Sequence, residues 1–261
     1  MQNTVVFKNT PIHYSDEGKG SAVVLLHGFL ENRYMWDFIK EDLTKTYRVI
    51  TIDLLGHGKT DCIGYVHSME LMAEVVYSVL KSIRIRRAIL IGHSMGGYVS
   101  LAFAEKFPKM VKGLCLMNST ATEDDQDRKD LRARANKMVQ TNFENMVRMS
   151  VANLFKPESI AAFSMEVDRV KKEALQTPIQ GYIAAQEGMR IRPDRTSVVQ
   201  NGPFPTFYVI AKEDPVLNSA EVTTEAKSVN AEYVVLEGGH MSHVENKEEL
   251  TASLKTFLKN I

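Results

Sequence analysis

Residues 88–97 read Ala-Ile-Leu-Ile-Gly-His-Ser-Met-Gly-Gly, an apolar run that ends in G-x-S-x-G and leads into a helical pattern. No other stretch limits the fold so tightly. An apolar run without alternation suits a strand buried on both faces, which needs a covering layer on each side. A serine directly after such a strand, between glycines, suits a sharp turn whose backbone is strained and whose side chain is thrust outward. Gly92 and Gly96 let neighbouring segments approach without Cβ clashes. The expectation is Ser94 Oγ at the carboxyl end of a sheet, beside the N-terminus of a helix starting near Gly97, where developing negative charge is favoured.

The rest of the chain supplies such a sheet. Strand-like runs recur at 22–26, 48–53, 111–117, 206–211 and 232–236, and a small strand pair is expected within 5–14, with turn chemistry at 15–18. Helix-period stretches lie between them, notably 69–83, 98–107 and 247–258. This alternation predicts an α/β fold with a mostly parallel sheet flanked by helices. One segment breaks the rhythm. Residues 121–179 open on an acidic cluster and carry no strand pattern, so they read as a helical insertion between two strands.

A serine hydroxyl is a weak nucleophile without an adjacent base and a third group that orients the base. For this kind of turn the chain order is serine, acid, histidine. The run at 206–211 ends in Lys-Glu-Asp-Pro, and the run at 232–236 ends in Glu-Gly-Gly-His. Asp214 and His240 therefore stand at carboxyl ends of strands, where open α/β sheets place their sites. His243 is the rival base, and Glu213, Glu123 or Asp124 are rival acids. His27-Gly28-Phe29, directly after 22–26, is the candidate source of one oxyanion donor, the Phe29 amide, with the Met95 amide as the other. His27 itself reads as a loop-packing histidine, and Asp53, ahead of Gly56 and Gly58, as a structural residue that bonds loop amides. His13 and His67 are expected at the surface. Trp36, Met146 and Phe163 are candidate substrate contacts.

Composition removes other classes. The 261 residues carry 32 Lys+Arg against 32 Asp+Glu, which gives no electrostatic footprint for nucleic acid. Two cysteines are too few for a disulfide framework, and Cys115 reads as core. No His/Asp/Glu cluster has metal-ligand spacing and no phosphate-binding glycine loop appears, so neither a metal nor a cofactor is expected. The longest nearly unbroken apolar run, at 22–30, is far short of the roughly 20 residues of a membrane span. A cytoplasmic protein with a small-molecule substrate and no membrane partner is the expectation.

Together, G-H-S-M-G-G at 92–97, H-G-F at 27–29, D-L-L-G-H-G-K-T at 53–60, E-D-P at 213–215 and G-G-H at 238–240 resemble the α/β-hydrolase fold superfamily over essentially the whole chain. The resemblance implies an eight-stranded, mostly parallel sheet with a helical lid after strand six. Residues 1–120 and 180–261 would then form one core, with 121–179 as the lid. It also implies a triad at Ser94, Asp214 and His240 and an oxyanion hole at Phe29 and Met95. Ser94 excludes the relatives with an aspartate nucleophile. Met95 departs from the proline iminopeptidases, and Tyr98 stands where the menaquinone-pathway relatives carry arginine.

The reading that follows is a serine esterase, placed with the haloperoxidase-like esterases, acting on small, largely apolar esters through an acyl-enzyme. A carbon–carbon bond hydrolase or lyase of the same fold is the alternative and would need a cationic anchor, for which Arg33 and Lys156 are candidates. A ligand receptor on this fold is a third reading, but a pure binding module has no physical need for the complete triad.

Overall fold

The computed structural model describes residues 2–261. Its centre is one eight-stranded sheet: β1 (Gln2–Phe7), β2 (Thr10–Glu17), β3 (Ala22–Leu26), β4 (Arg48–Ile52), β5 (Ala88–His93), β6 (Val111–Met117), β7 (Thr206–Ala211) and β8 (Glu232–Leu236). Their order is β1-β2-β4-β3-β5-β6-β7-β8. Only β2 runs antiparallel to its neighbours; from β4 to β8 every pairing is parallel. Strand β2 continues through Ser15, Asp16 and Glu17, which were expected to turn. Asp16 is held there by Arg48 of β4 (Nη2–Oδ2 2.6 Å), so the turn starts only at Gly18.

Side-chain alternation along the central strands feeds two apolar layers. Val24, Leu26 and Leu90 face α2 (Met69–Ser82) and α3 (Met95–Lys106), whereas Val23, Leu25, Ile89 and Ile91 face the opposite layer. That second layer takes Ile39 and Leu43 from α1 (Asp37–Leu43), and Leu250, Leu254 and Phe257 from a C-terminal helix over Lys247–Lys259. Helix α2 begins where Ser68 Oγ accepts from the Leu71 N–H at 3.2 Å. Cys115 is buried among the second layer. His67, expected at the surface, is fully buried: its Nε2 accepts from the Ile63 N–H, and its own N–H donates to the Ala184 carbonyl.

Between β6 and β7 the chain is helical. It forms α4 (Gln126–Met138), α5 (Phe143–Ala152), α6 (Pro157–Ala162), α7 (Ser164–Ala174), α8 (Ile179–Arg190) and α9 (Thr196–Asn201). Val147, Val151, Phe155, Val167, Ala174 and Tyr182 give these helices an apolar cluster of their own. Leu30 and Met241 reach it from the sheet's carboxyl edge, so the helices sit over that edge. After β7 come α10 (Ser219–Ser228), α11 (Ser242–Glu245) and α12 (Lys247–Lys259). No helix among the described residues is long and apolar enough to cross a membrane.

Helix α3 begins at Met95, two residues before the expected start, because the turn at Ser94 feeds straight into it. Its first turn crosses β3 so closely that a Cβ at Gly96 would overlap the Leu26 carbonyl oxygen, which is rigid backbone. Gly96→Ala is therefore expected to cost about 1–3 kcal/mol, read as a lower urea midpoint at an unchanged slope.

Candidate active site

Four strand ends converge beneath the helical layer. After β5 the chain turns at Ser94 with φ 49° and ψ −114°, a strained conformation for a residue with a side chain. The turn is held by the Ser94 N–H donating to the Met117 carbonyl (2.9 Å) and by Ser119 Oγ donating to the Ser94 carbonyl (2.9 Å). A Cβ at Gly92 would overlap the Gly96 backbone, so the glycine lets the turn close on itself.

After β7, Asp214 Oδ1 accepts from the Val216 and Leu217 N–H groups at 2.8 and 3.0 Å. Its Oδ2 accepts from His240 Nδ1 at 2.7 Å, and Asn118 Nδ2 lies 3.4 Å from the same oxygen. Burial opposes the charge on Asp214, but His240 and the two amides hold the carboxyl below its ordinary range. His240 follows β8, and its N–H donates to the Leu154 carbonyl of the helical layer at 2.8 Å. With Nδ1 committed to Asp214, Nε2 is the ring nitrogen left to serve a reacting group. Ser94 and His240 both line a cavity of about 320 Å³ between the sheet edge and the helices. That volume suits a small molecule.

Phe29 and Leu30, after β3, line the same cavity. Among the described residues neither the Phe29 nor the Met95 amide has a protein acceptor. His27 is a buried brace: Nδ1 donates to the Gly28 carbonyl (2.7 Å), and Nε2 accepts from the Leu54 N–H (2.9 Å). Asp53 accepts from the Arg33 and Lys59 amides and pairs with the buried Arg33 guanidinium.

A second carboxylate ties these loops together. Glu31 Oε2 accepts from the Gly28 N–H at 2.6 Å and from His93 Nδ1 at 2.7 Å. His93 Nε2 donates to the His240 carbonyl at 3.0 Å. Both ring nitrogens of His93 face acceptors, so the ring is an imidazolium. Burial alone would lower its pKa, but Glu31 and the His240 carbonyl raise it. Burial likewise opposes the charge on Glu31, yet His93 brings its pKa down to about 2. Glu31, His93 and His243 place possible ligand atoms within 4.8 Å of one another. In this arrangement both ring nitrogens of His93 are already committed, one to Glu31 and one to the His240 carbonyl.

The rival groups stand elsewhere. His243 is buried against Glu31 (Nε2–Oε1 3.8 Å), and burial pushes its pKa down to about 4. Glu213 pairs with Lys156 at 2.6 Å, while Asp124 is bound between Arg132 and Arg192. Met146 lines the cavity, but Trp36 and Phe163 do not. Trp36 ends a short 3-10 turn (Arg33–Trp36) and is fully buried with Ile39 and Leu43. Phe163, between α6 and α7, lines a separate groove beside Phe38 and His243. Sequence reasoning missed Arg128 and Arg132 of α4, and Tyr182 and Gln186 of α8, all on the cavity wall. The i, i+4 spacing of the two arginines on a helix was the available signal.

A family model described as alpha/beta hydrolase fold matches residues 21–247. The dihydrolipoyllysine-residue acetyltransferase component of an acetoin cleaving system from Pseudomonas putida is 29% identical over 92% of this chain, which spans only 64% of that protein. The pimeloyl-[acyl-carrier protein] methyl ester esterase of Aliivibrio fischeri is 26% identical, over 95% of this chain and 98% of that protein. A solved thermophilic esterase from Thermogutta terrifontis superposes with a TM-score of 0.93 at 27% identity, covering 100% of this chain and 98% of the other.

The Glu31–His93 pair sets a pH dependence. A carboxyl with a lowered folded pKa adds stability that is present above its ordinary value, in this case 4.5, and is lost as pH falls toward about 2. Glu31→Gln is expected to lose about 3–5 kcal/mol at neutral pH, because it breaks a buried pair. Urea titrations should show the gap from wild type narrowing between about pH 4.5 and 2.

Proposed function

The chain belongs to the alpha/beta hydrolase fold family, and from that premise we propose that it is a serine hydrolase cleaving carboxylic esters of small, largely apolar substrates through an acyl-enzyme on Ser94. The observation that carries this reading is the buried Asp214–His240 pair, 2.7 Å long, opening onto the cavity that Ser94 lines from a strained turn. The similarity to the esterases of Aliivibrio fischeri and Thermogutta terrifontis supports the same reaction class.

In the proposed cycle His240 Nε2 takes the Ser94 hydroxyl proton as Oγ attacks the ester carbonyl carbon. Asp214 keeps Nδ1 protonated and stabilises the imidazolium that forms. The Phe29 and Met95 amides receive the oxyanion, a role that suits donors with no other protein acceptor. Collapse of the tetrahedral adduct breaks the ester C–O bond, and His240 returns the proton to the departing alcohol. Water then attacks the acyl-enzyme through the same base. Serine, imidazole, carboxylate and two amides supply every step, so the cycle draws on no metal or cofactor.

The helical segment 121–179 acts as the lid of this site, over a core made of 1–120 and 180–261. Met146, Met149 and Leu154 give the cavity a deformable apolar wall from the lid side.

Turnover of 4-nitrophenyl butyrate tests the assignment. Ser94→Ala and His240→Ala should each lower kcat by about 10⁴-fold or more, and Asp214→Asn by a comparable factor. His243→Ala should keep most of the rate. Full turnover by Ser94→Ala, or loss with His243→Ala and not with His240→Ala, would overturn these roles.

A further inference from the structure

We propose, resting on the esterase reading, that the substrate carries a carboxylate, held at the lid-side wall of the cavity by the guanidinium of Arg128. Helix α4 turns Arg128 and Arg132, one helical turn apart, toward the cavity that Ser94 and His240 line. Like charges at this spacing repel, and Arg132 feels the charge of Arg128. The two arginines differ in what answers them. Arg132 spends Nε on Asp124 Oδ2 (2.6 Å) and Nη1 on Gln186 Oε1 (2.7 Å). The other oxygen of Asp124 takes Arg192 Nη1 at 2.7 Å, so one carboxylate already serves two cations.

Arg128 has no such partner. Its backbone N–H donates to Asp125, which caps the helix, but its guanidinium meets no acceptor among the described residues. Glu123 bonds to Lys129 and Asp130 to Gln126, while the adjacent Asp127 is exposed and bonds to neither arginine. A half-buried cation therefore faces a cavity whose wall beside it is Leu131, Ala135 and Met149. A guanidinium offers two parallel N–H donors at the spacing of a carboxylate's oxygens. The single charge of Arg128 matches one negative charge. The substrate that fits has an apolar body, an ester at Ser94 and a carboxylate at the far end.

Two matched ester pairs decide the matter. Mono-4-nitrophenyl adipate against 4-nitrophenyl hexanoate exchanges carboxylate for methyl on the acyl side. (4-Acetoxyphenyl)acetate against 4-ethylphenyl acetate makes the same exchange on the alcohol side. In at least one pair the anionic ester should have the higher kcat/KM, by about tenfold or more and mainly through KM. Arg128→Gln should bring that ratio to about one, and Arg128→Lys should leave it between. A preference for the neutral ester in both pairs, or a ratio that survives Arg128→Gln, overturns the proposal. If the wild type cleaves none of the four esters, the esterase reading fails and calorimetry still tests the anion site. Wild type should bind adipate and 4-hydroxyphenylacetate more tightly than hexanol and 4-ethylphenol, and Arg128→Gln should erase the difference. An absent or unchanged difference overturns it. A thermal melt of Arg128→Gln matching wild type separates loss of the anchor from loss of the fold.

Discussion

The carboxylate of Glu31 joins three loops that leave different strands of the sheet. It accepts the Gly28 amide of the loop after β3 and pairs with His93, the residue before Ser94. Through His93 it reaches the carbonyl of His240, on the loop after β8. Each of these loops is a backbone excursion beyond a strand end. A charge-assisted bond in a dry interior is short and directional, so it fixes positions better than apolar contact does. The cost is desolvation of two charges, which is recovered only because both His93 nitrogens and Glu31 Oε2 have partners. The helical layer is tied in as well: Glu245 accepts from the amides of both Gly239 and Lys156, at 3.1 Å each.

Strain at Ser94 is tolerable for a related reason. A left-handed serine would relax if its neighbours could move, but α3 is pressed on β3 with no room for a Cβ at Gly96, and Ser119 and Met117 grip the Ser94 backbone. The apolar layers on both faces of β5 keep that strand from yielding. The stability of the sheet thus keeps Ser94 at the cavity in a conformation the local sequence disfavours.

What the sequence reveals follows the range of the interactions involved. The strands, and the places of Ser94, Asp214 and His240 just beyond them, were legible because each is marked by its immediate neighbours: an apolar run, then a turn, then the residue. Strand β8 departs a little. It is the sheet's edge, and Tyr233 and Val235 stay 38% and 43% exposed despite an apolar pattern like that of the buried strands. Trp36 and Phe163 were misplaced because aromatic character says that a residue is buried, not which surface buries it. The bend of the Arg33–Trp36 turn sends Trp36 into the layer beneath the sheet, away from the cavity. The turn at 15–18 was misread because Asp16 suits turns locally, while its partner Arg48 lies on another strand. His67 escaped notice in the same way, since its cover comes from Ala184, more than a hundred residues along the chain.

The charge balance shows the limit of totals most clearly. Equal numbers of basic and acidic residues give no large net field, but they say nothing about which charges meet. By sequence the acidic opening of the helical segment resembles a solvated face. In the fold its members divide: Glu123 and Asp130 bond to neighbours at the surface, while Asp124 turns inward between Arg132 and Arg192. Asp125 and Asp127 stay exposed, so this opening holds more acids than bases, yet the Arg128 guanidinium meets no acceptor among the described residues. Neutrality is a property of the sum, whereas recognition depends on which groups remain unpaired.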